Sequence, residues 1–520
     1  MYLTQGLHRA LQQCPERTAT IFSGRHHSFR TFGDRVARLA NALRTLGVQP
    51  GDRVAMLAHN SDRYAEFFLA VWWAGAVANP VNTRWSAVEI AYSLNDCESA
   101  VLLVDDAFAA QVPAIRQQAT VVRTVVHTGD ADTSEAEGML SYEALLQAAT
   151  PMPDAGHRGD DLAVILYTGG TTGFPKGVML SHANLWSAAV ARLAELPNPS
   201  EGISLLVAPL FHVAGLGRLV SQIVIGATSV IEPVFRADTV LNAIEQHGVN
   251  DVVLVPSMLQ MLLEHPAFEP TRLRSLQRIV HGASPMPPAL LDRAMQALPH
   301  VGFITSYGMT ETSAVVSLNG PITQVARSRF DKVLRSVGRA GYGCEVRIVD
   351  GQGQPVPPGT VGEITVRGPG VMLGYWNKPT ETACALRDGW LFTGDGAWMN
   401  ESGYIHVVDR LKDMIISGGE NVYSAEVEAA LMLHPAVASC AVIGVPSEQW
   451  GEAVHAVVVL RPGCQADEQA LRAHCRTRLA GYKCPKAVDF MAALPLSAAG
   501  KVMKNRLREP FWQGRSQRVN

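Results

Sequence analysis

Residues Tyr167–Gly177 read Tyr-Thr-Gly-Gly-Thr-Thr-Gly-Phe-Pro-Lys-Gly, directly after the apolar run Leu162-Ala-Val-Ile-Leu166. The short apolar run predicts a buried strand. The glycines after it let backbone N–H groups approach an anion closely, and the hydroxyls of Thr168, Thr171 and Thr172 add donors. Lys176 adds an ammonium for charge-assisted bonds. This combination suits a polyphosphate. It differs from the common P-loop, because Gly177 follows Lys176 where that loop has the metal-binding Ser or Thr.

The chain has 520 residues, enough for more than one domain. Its composition is 47% hydrophobic and 18% charged, as in ordinary globular enzymes. The net charge of −3 gives no nucleic-acid footprint. Eight cysteines are scattered without a C-x-x-C pair, which argues against zinc and disulfide frameworks and for reduced thiols in a cytoplasm. No basic-then-apolar signal pattern opens the sequence. The apolar stretch 67–81 is too short to span a bilayer and reads as a core element. Peripheral membrane contact, and the choice between monomer and homodimer, stay open.

Strand-like and helix-like segments alternate, which predicts α/β layers. A helix is expected from Phe32, with Val36, Leu39, Ala40, Leu43 and Leu46 on one face, Asp34 as its cap and Gly47 and Pro50 after its end. Val54–Leu57, Val101–Val104, Ser204–Pro209, Ser229–Ile231, Asp251–Val255 and Arg278–His281 read as strands. Near residue 340 the pattern changes: Cys344–Val349 and Gly362–Arg367 flank a turn-rich stretch, which suggests a β-rich subdomain. After Arg410 a compact α/β unit of about 110 residues follows. The expected organisation is a large N-terminal α/β domain, residues 1–411, and a small mobile C-terminal lid, residues 412–520.

The phosphate-loop string resembles that of the adenylate-forming enzymes, which include acyl-CoA synthetases, peptide-synthetase adenylation domains and luciferases. Gly170 stands where that family usually has Ser. Further segments match along nearly the whole chain, and their closest flavour is that of bacterial fatty-acyl-CoA synthetases. The resemblance implies that Gly169, Gly170, Thr171, Thr172, Gly173 and Lys176 cradle the phosphates of ATP. In Ser306–Thr312 it implies that Tyr307 and Gly308 lie against adenine, that Thr310 is near the α-phosphate, and that Glu311, with Thr168, holds Mg²⁺. A hard cation of that kind takes carboxylate oxygen together with phosphate and water. Gly282, Ala283 and Ser284 resemble the adenine-side loop.

Trp390–Asp395 matches a second signature, in which Asp395 accepts from the ribose hydroxyls and Arg410 supports them. The segment from Lys412 to Glu426 resembles the hinge and the loop after it, so that Ser417, Gly418, Gly419 and Glu420 would approach the thiol of coenzyme A. Proline is common where Ser424 stands, and the change reads as mild. Lys501 matches the catalytic lysine, with Ala499 where threonine is usual. Lys504, Arg506 and Arg508 read as a solvated basic face.

Pro209–Gly215 bears on the substrate. Amino-acid-activating relatives carry an aspartate there for the substrate's ammonium. Here His212 takes its place, which fits an acid without an α-amine; a packed core histidine is the plainer alternative. Ala214, Gly308 and Val315 are expected to line an acyl pocket beyond it. The implied reaction is ATP-dependent ligation of a carboxylic acid, of medium or long chain, to coenzyme A through acyl-AMP. An aryl or arylalkyl acid, or a carrier-protein acceptor, is the alternative.

Overall fold

The computed structural model describes residues 1–130, 138–168, 175–196, 201–326, 333–497 and 501–513. The apolar runs become parallel strands. Arg53–Leu57, Val77–Pro80, Val101–Val104 and Leu162–Thr168 lie in an eight-stranded sheet. Their central residues are buried, and both faces are covered, which is why the runs are continuous and not alternating. A nine-stranded sheet holds Thr18–Phe22, Ile203–Leu206, Thr228–Ile231, Asp251–Val253, Arg278–Gly282 and Gly302–Tyr307, also mutually parallel.

One core joins the two sheets. Met56 and Val164 come from the first, Leu206 and Ile231 from the second, and Phe67, Phe68 and Trp72 from the helix Asp62–Trp73. Every residue of that helix is buried. Ser61 starts it by accepting the Tyr64 N–H at 3.1 Å. Most of the apolar stretch 67–81 is therefore this helix and the strand Val77–Pro80.

The helix expected from Phe32 spans Phe29–Thr45. Its cap is Ser28, which accepts the Thr31 N–H at 3.2 Å, and not Asp34. Phe29 and Phe32 are both fully buried, so the apolar stripe extends one turn upstream and carries the helix start with it. Asp34 instead pairs with Arg38 one turn on, at 2.7 Å.

The β-rich subdomain is a five-stranded sheet in which Glu345–Val349 and Gly362–Arg367 pair antiparallel, followed by Trp390–Met399 and Ile405–Arg410. A smaller α/β domain ends the chain. It has its own five-stranded sheet, its own core around Ile415, Val442, Val454 and Leu471, and the helices Ser424–Met432 and Glu468–Arg476. Among the described residues no helix is long and apolar enough to cross a membrane.

The basic residues near the end are not a solvated face. Lys504 pairs with Glu428 at 2.7 Å, and the buried Arg508 pairs with Asp413 at 2.8 Å; only Arg506 is exposed. Residues 504, 507 and 508 share one face of the helix Lys504–Trp512, and Leu507 seats that face on Ala441, Ile443 and Val457. Ser424 is not a mild change either. Its N–H donates to Asp409 at 2.6 Å, a bond that proline cannot make, and its hydroxyl donates to the same carboxylate oxygen while accepting from Lys504.

A polar cluster fastens the helices beneath the first sheet. Glu66 is fully buried and accepts from Arg35 at 2.6 and 3.1 Å and from the Tyr142 hydroxyl at 2.7 Å. Glu66→Ala leaves Tyr142 without this acceptor and Arg35 with Glu143 alone. Breaking a buried pair in this way is expected to destabilise the domain by about 3–5 kcal/mol. Urea unfolding followed by tryptophan fluorescence measures it; an unchanged midpoint would show that the cluster adds nothing net.

Candidate active site

The parallel strands of the nine-stranded sheet direct their C-terminal ends at a cavity of about 180 Å³. Gly282 and Ser306, at two of those ends, line it. Open α/β sheets place ligands outside the carboxyl ends of their strands. The helix Val213–Ile225 makes a second wall with Ala214 and Gly217, and the helix His182–Glu195 makes a third from Leu185 to Arg192. Lys501 reaches the cavity from the C-terminal domain.

His212, Ala214, Gly308 and Val315 meet in this cavity, together with Gly282, Ala283 and Thr310. His212 is the N-cap residue of its helix, and its Nε2 is buried with no hydrogen-bond partner. Burial, followed by the charges of Lys501 and Arg84, pushes the imidazole down to about 4, so it is neutral at pH 7. The ring lines the cavity with that nitrogen unpaired. Burial and then Arg410 hold the Lys501 ammonium below the usual lysine range, against the opposing pull of Asp395 and Glu311.

Beside the cavity stands a second group. Asp395 is opposite Arg410 across the Trp390–Met399 and Ile405–Arg410 pairing, and Arg410 Nε is 3.1 Å from its Oδ1. The Tyr307 hydroxyl donates to Asp395 Oδ2 at 2.8 Å. Burial and Asp395 push the Tyr307 phenol well above its ordinary range, so it remains the donor. Glu311 is buried and accepts from the Tyr375 hydroxyl at 2.9 Å. Lys176 lies over the Tyr375 ring, 5.1 Å from its centroid.

Thr168 and Lys176 face each other at the base of the loop, which joins two antiparallel strands, Leu162–Thr168 and Lys176–Ser181. A P-loop instead leads from a strand into a helix. Gly169, Gly170, Thr171, Thr172 and Gly173 lie outside the described residues. Ser284 follows the cavity-lining Ala283 without itself lining the cavity. Lys412 is in the short turn Leu411–Asp413, and burial holds its ammonium below the usual range. Ser417, Gly418, Gly419 and Glu420 form the tight hairpin of the C-terminal domain, away from the cavity lining. Gly418 sits at φ 63° with Trp450 against it.

Sequence reasoning missed several features. Tyr375 links Lys176 to Glu311, and Arg84 donates to the Ser497 carbonyl at 2.8 Å, tying the two domains. Both are long-range contacts without a local pattern. Ala283, Ser313 and Ala314 hold positive φ at the cavity rim; strain of this kind collects at functional sites. Gly308 passes so close to the Ala314 carbonyl that a Cβ would lie 2.0 Å from its oxygen.

Comparison with known proteins agrees with this geometry. The AMP-binding enzyme family matches residues 7–376, and the AMP-binding enzyme C-terminal domain matches residues 426–501. A feruloyl-CoA synthase of an Amycolatopsis species is 40% identical over 97% of this chain and 98% of its own. A fatty acid–[acyl-carrier-protein] ligase, ScoC, of Streptomyces coeruleorubidus is 33% identical over 98% of this chain and 96% of its own. The solved o-succinylbenzoate CoA synthetase of Bacillus subtilis, in complex with its acyl-adenylate intermediate, aligns with a TM-score of 0.84 and 32% identity over 96% of this chain and 97% of that one. With more than two thirds of its length matched by the family and a full-length relative at 40% identity, the chain belongs to the AMP-binding enzyme family.

Proposed function

We propose that this protein is an AMP-forming carboxylate–CoA ligase whose acid is aryl or arylalkyl. The observation that carries the reading is the position of Lys501, which enters from the C-terminal domain into the cavity lined by His212 and Thr310. The names of the relatives favour an aryl acid over the fatty acid of the initial expectation. The eight cysteines are free, which fits a reducing compartment such as the cytoplasm.

The first step joins two anions, a carboxylate and ATP. The carboxylate oxygen attacks the α-phosphorus, and pyrophosphate leaves. Lys501 stands between the two charges and neutralises both. His212, neutral at the N-terminus of its helix, bounds the carboxylate site without adding a negative charge. Asp395 and Arg410 hold the ribose, Tyr307 and the backbone of 282–284 flank the adenine, and Thr168, Lys176 and the loop between them take the phosphates.

The residues around Glu311 fit a divalent cation: a buried carboxylate, held by a tyrosine hydroxyl, that makes no ion pair among the described residues. Among the described residues no group of three or more His, Cys, Asp or Glu could hold a metal by itself, which suits Mg²⁺ bound partly by phosphate and water. Glu311, with Thr168, would hold it, and the ion would supply charge neutralisation to the departing pyrophosphate.

In the second step the coenzyme A thiol displaces AMP from acyl-AMP. The lid, residues 412–520, rotates about Lys412, withdraws Lys501 and brings Ser417–Glu420 toward the thiol. A panel of aryl, arylalkyl and straight-chain acids, assayed for CoA-dependent AMP release, tests the reading as a whole. Turnover of straight-chain acids alone would overturn its aryl part.

Lys501→Ala is expected to slow pyrophosphate release by about 10²–10³ while sparing thioester formation from synthetic acyl-AMP. Equal loss of both half-reactions in a folded variant would refute the two-position lid. Because Lys501 acts as an ammonium and its proton leaves below the ordinary lysine value, kcat/KM for adenylation should fall as pH rises through that lowered value. A flat alkaline limb would contradict the role. Asp395→Ala is expected to weaken ATP by about 1–3 kcal/mol, with 2′,3′-dideoxy-ATP already weakened in the wild type. Equal wild-type affinity for the two nucleotides would remove Asp395 from the ribose.

A further inference from the structure

Two arginines line the cavity, and their surroundings differ. Arg218 donates to the Ser204 hydroxyl at 2.7 Å and pairs with the buried Asp251. Arg192 is 8% exposed and lines the cavity too, but among the described residues its guanidinium makes no hydrogen bond or ion pair, so its N–H groups open onto the cavity. Glu195, one turn further along the helix, accepts the Tyr342 N–H at 3.2 Å and makes no ion pair with Arg192. In a stretch of wall otherwise made by Ala188, Val280 and Val315, its N–H groups are the donors that a ligand oxygen would meet.

The location of Arg192 says which part of a ligand supplies that oxygen. Arg192, Ala188 and Val315 also line a small adjoining pocket of about 10 Å³ together with Leu318 and Gly341, and neither His212 nor Lys501 reaches it. Leu196, one turn after Arg192, packs on Val280 and Ile304, two residues inside the strand ends at Gly282 and Ser306. Arg192 is therefore at the end of the cavity remote from His212 and Lys501, away from the reacting carboxylate. We propose that Arg192 is a specificity-determining residue that selects acids carrying a second oxygen function, phenolic or carboxylate, at the end remote from the carboxylate that is activated. This rests on the aryl-acid reading above, with the ring seated between the small Ala188 and the valines.

The test measures pyrophosphate release for cinnamate, 4-hydroxycinnamate and 4-carboxycinnamate with the wild type, Arg192→Met and Arg192→Lys. The wild type should prefer one of the oxygenated acids, and which one it prefers distinguishes phenol from carboxylate. Arg192→Met should lower kcat/KM for that acid by about 10- to 100-fold, chiefly through KM, and leave cinnamate within about twofold. Arg192→Lys should recover part of the loss. An unchanged KM for ATP confirms that the variant's nucleotide site is intact, and Arg192→Gln replaces Arg192→Met if the latter does not fold. A uniform change across the three acids, or no change, overturns the proposal. If the wild type accepts none of the three but does accept straight-chain acids, the aryl reading fails separately, and Arg192 is judged on octanoate against octanedioate by the same criterion.

Discussion

An ammonium removed from water is tolerated only where opposite charge is near and the site is shaped to hold it. Lys501 is such a group, and much of the site is arranged around it. Asp395 and Glu311 draw it in, while Arg410 and Lys412 limit how firmly it is held as a cation. The two carboxylates are themselves fixed from elsewhere, Asp395 by Tyr307 and Arg410, Glu311 by Tyr375. A cation supplied by one domain is thus balanced by anions of the other.

The cavity itself has a graded character. At the Lys501 end it is polar, with a neutral histidine at a helix start. Between the helices and the strand ends it is lined by alanine, valine and glycine, which leave volume without polarity. At Arg192 it becomes polar again. The backbone around it is held in conformations that side chains rarely adopt, at Ala283, Ser313 and Ala314, and the surrounding sheets supply the packing that keeps them there.

Much of the fold was legible in the sequence because local pattern and burial agree there. The continuous apolar runs became strands of parallel sheets, and the switch near residue 340 became an antiparallel sheet. The convergence of His212, Thr310 and Lys501 was reached through motif resemblance, since no periodicity relates residues so far apart. What failed was decided by tertiary contact. Asp34 has the composition of a cap, but two buried phenylalanines move the helix start to Ser28. Lys504 and Arg508 read as solvated because charge is normally solvated; their partners Glu428 and Asp413 are remote in sequence and come together only in the folded C-terminal domain. Ser424 looked like a neutral replacement because the acceptor for its N–H lies fifteen residues upstream.

That serine has a mechanical consequence. Asp409 belongs to the last strand before the turn at Lys412, while Ser424, Glu428 and Lys504 belong to the domain beyond it. Lys504 is three residues after Lys501, and three residues of chain reach at most about 10 Å. The side chain that meets Ser424 and the one that enters the cavity therefore ride on a single short segment. In the proposed lid movement the Lys501 backbone would therefore stay within that radius of the Asp409–Ser424–Lys504 cluster, whichever way the domain turned.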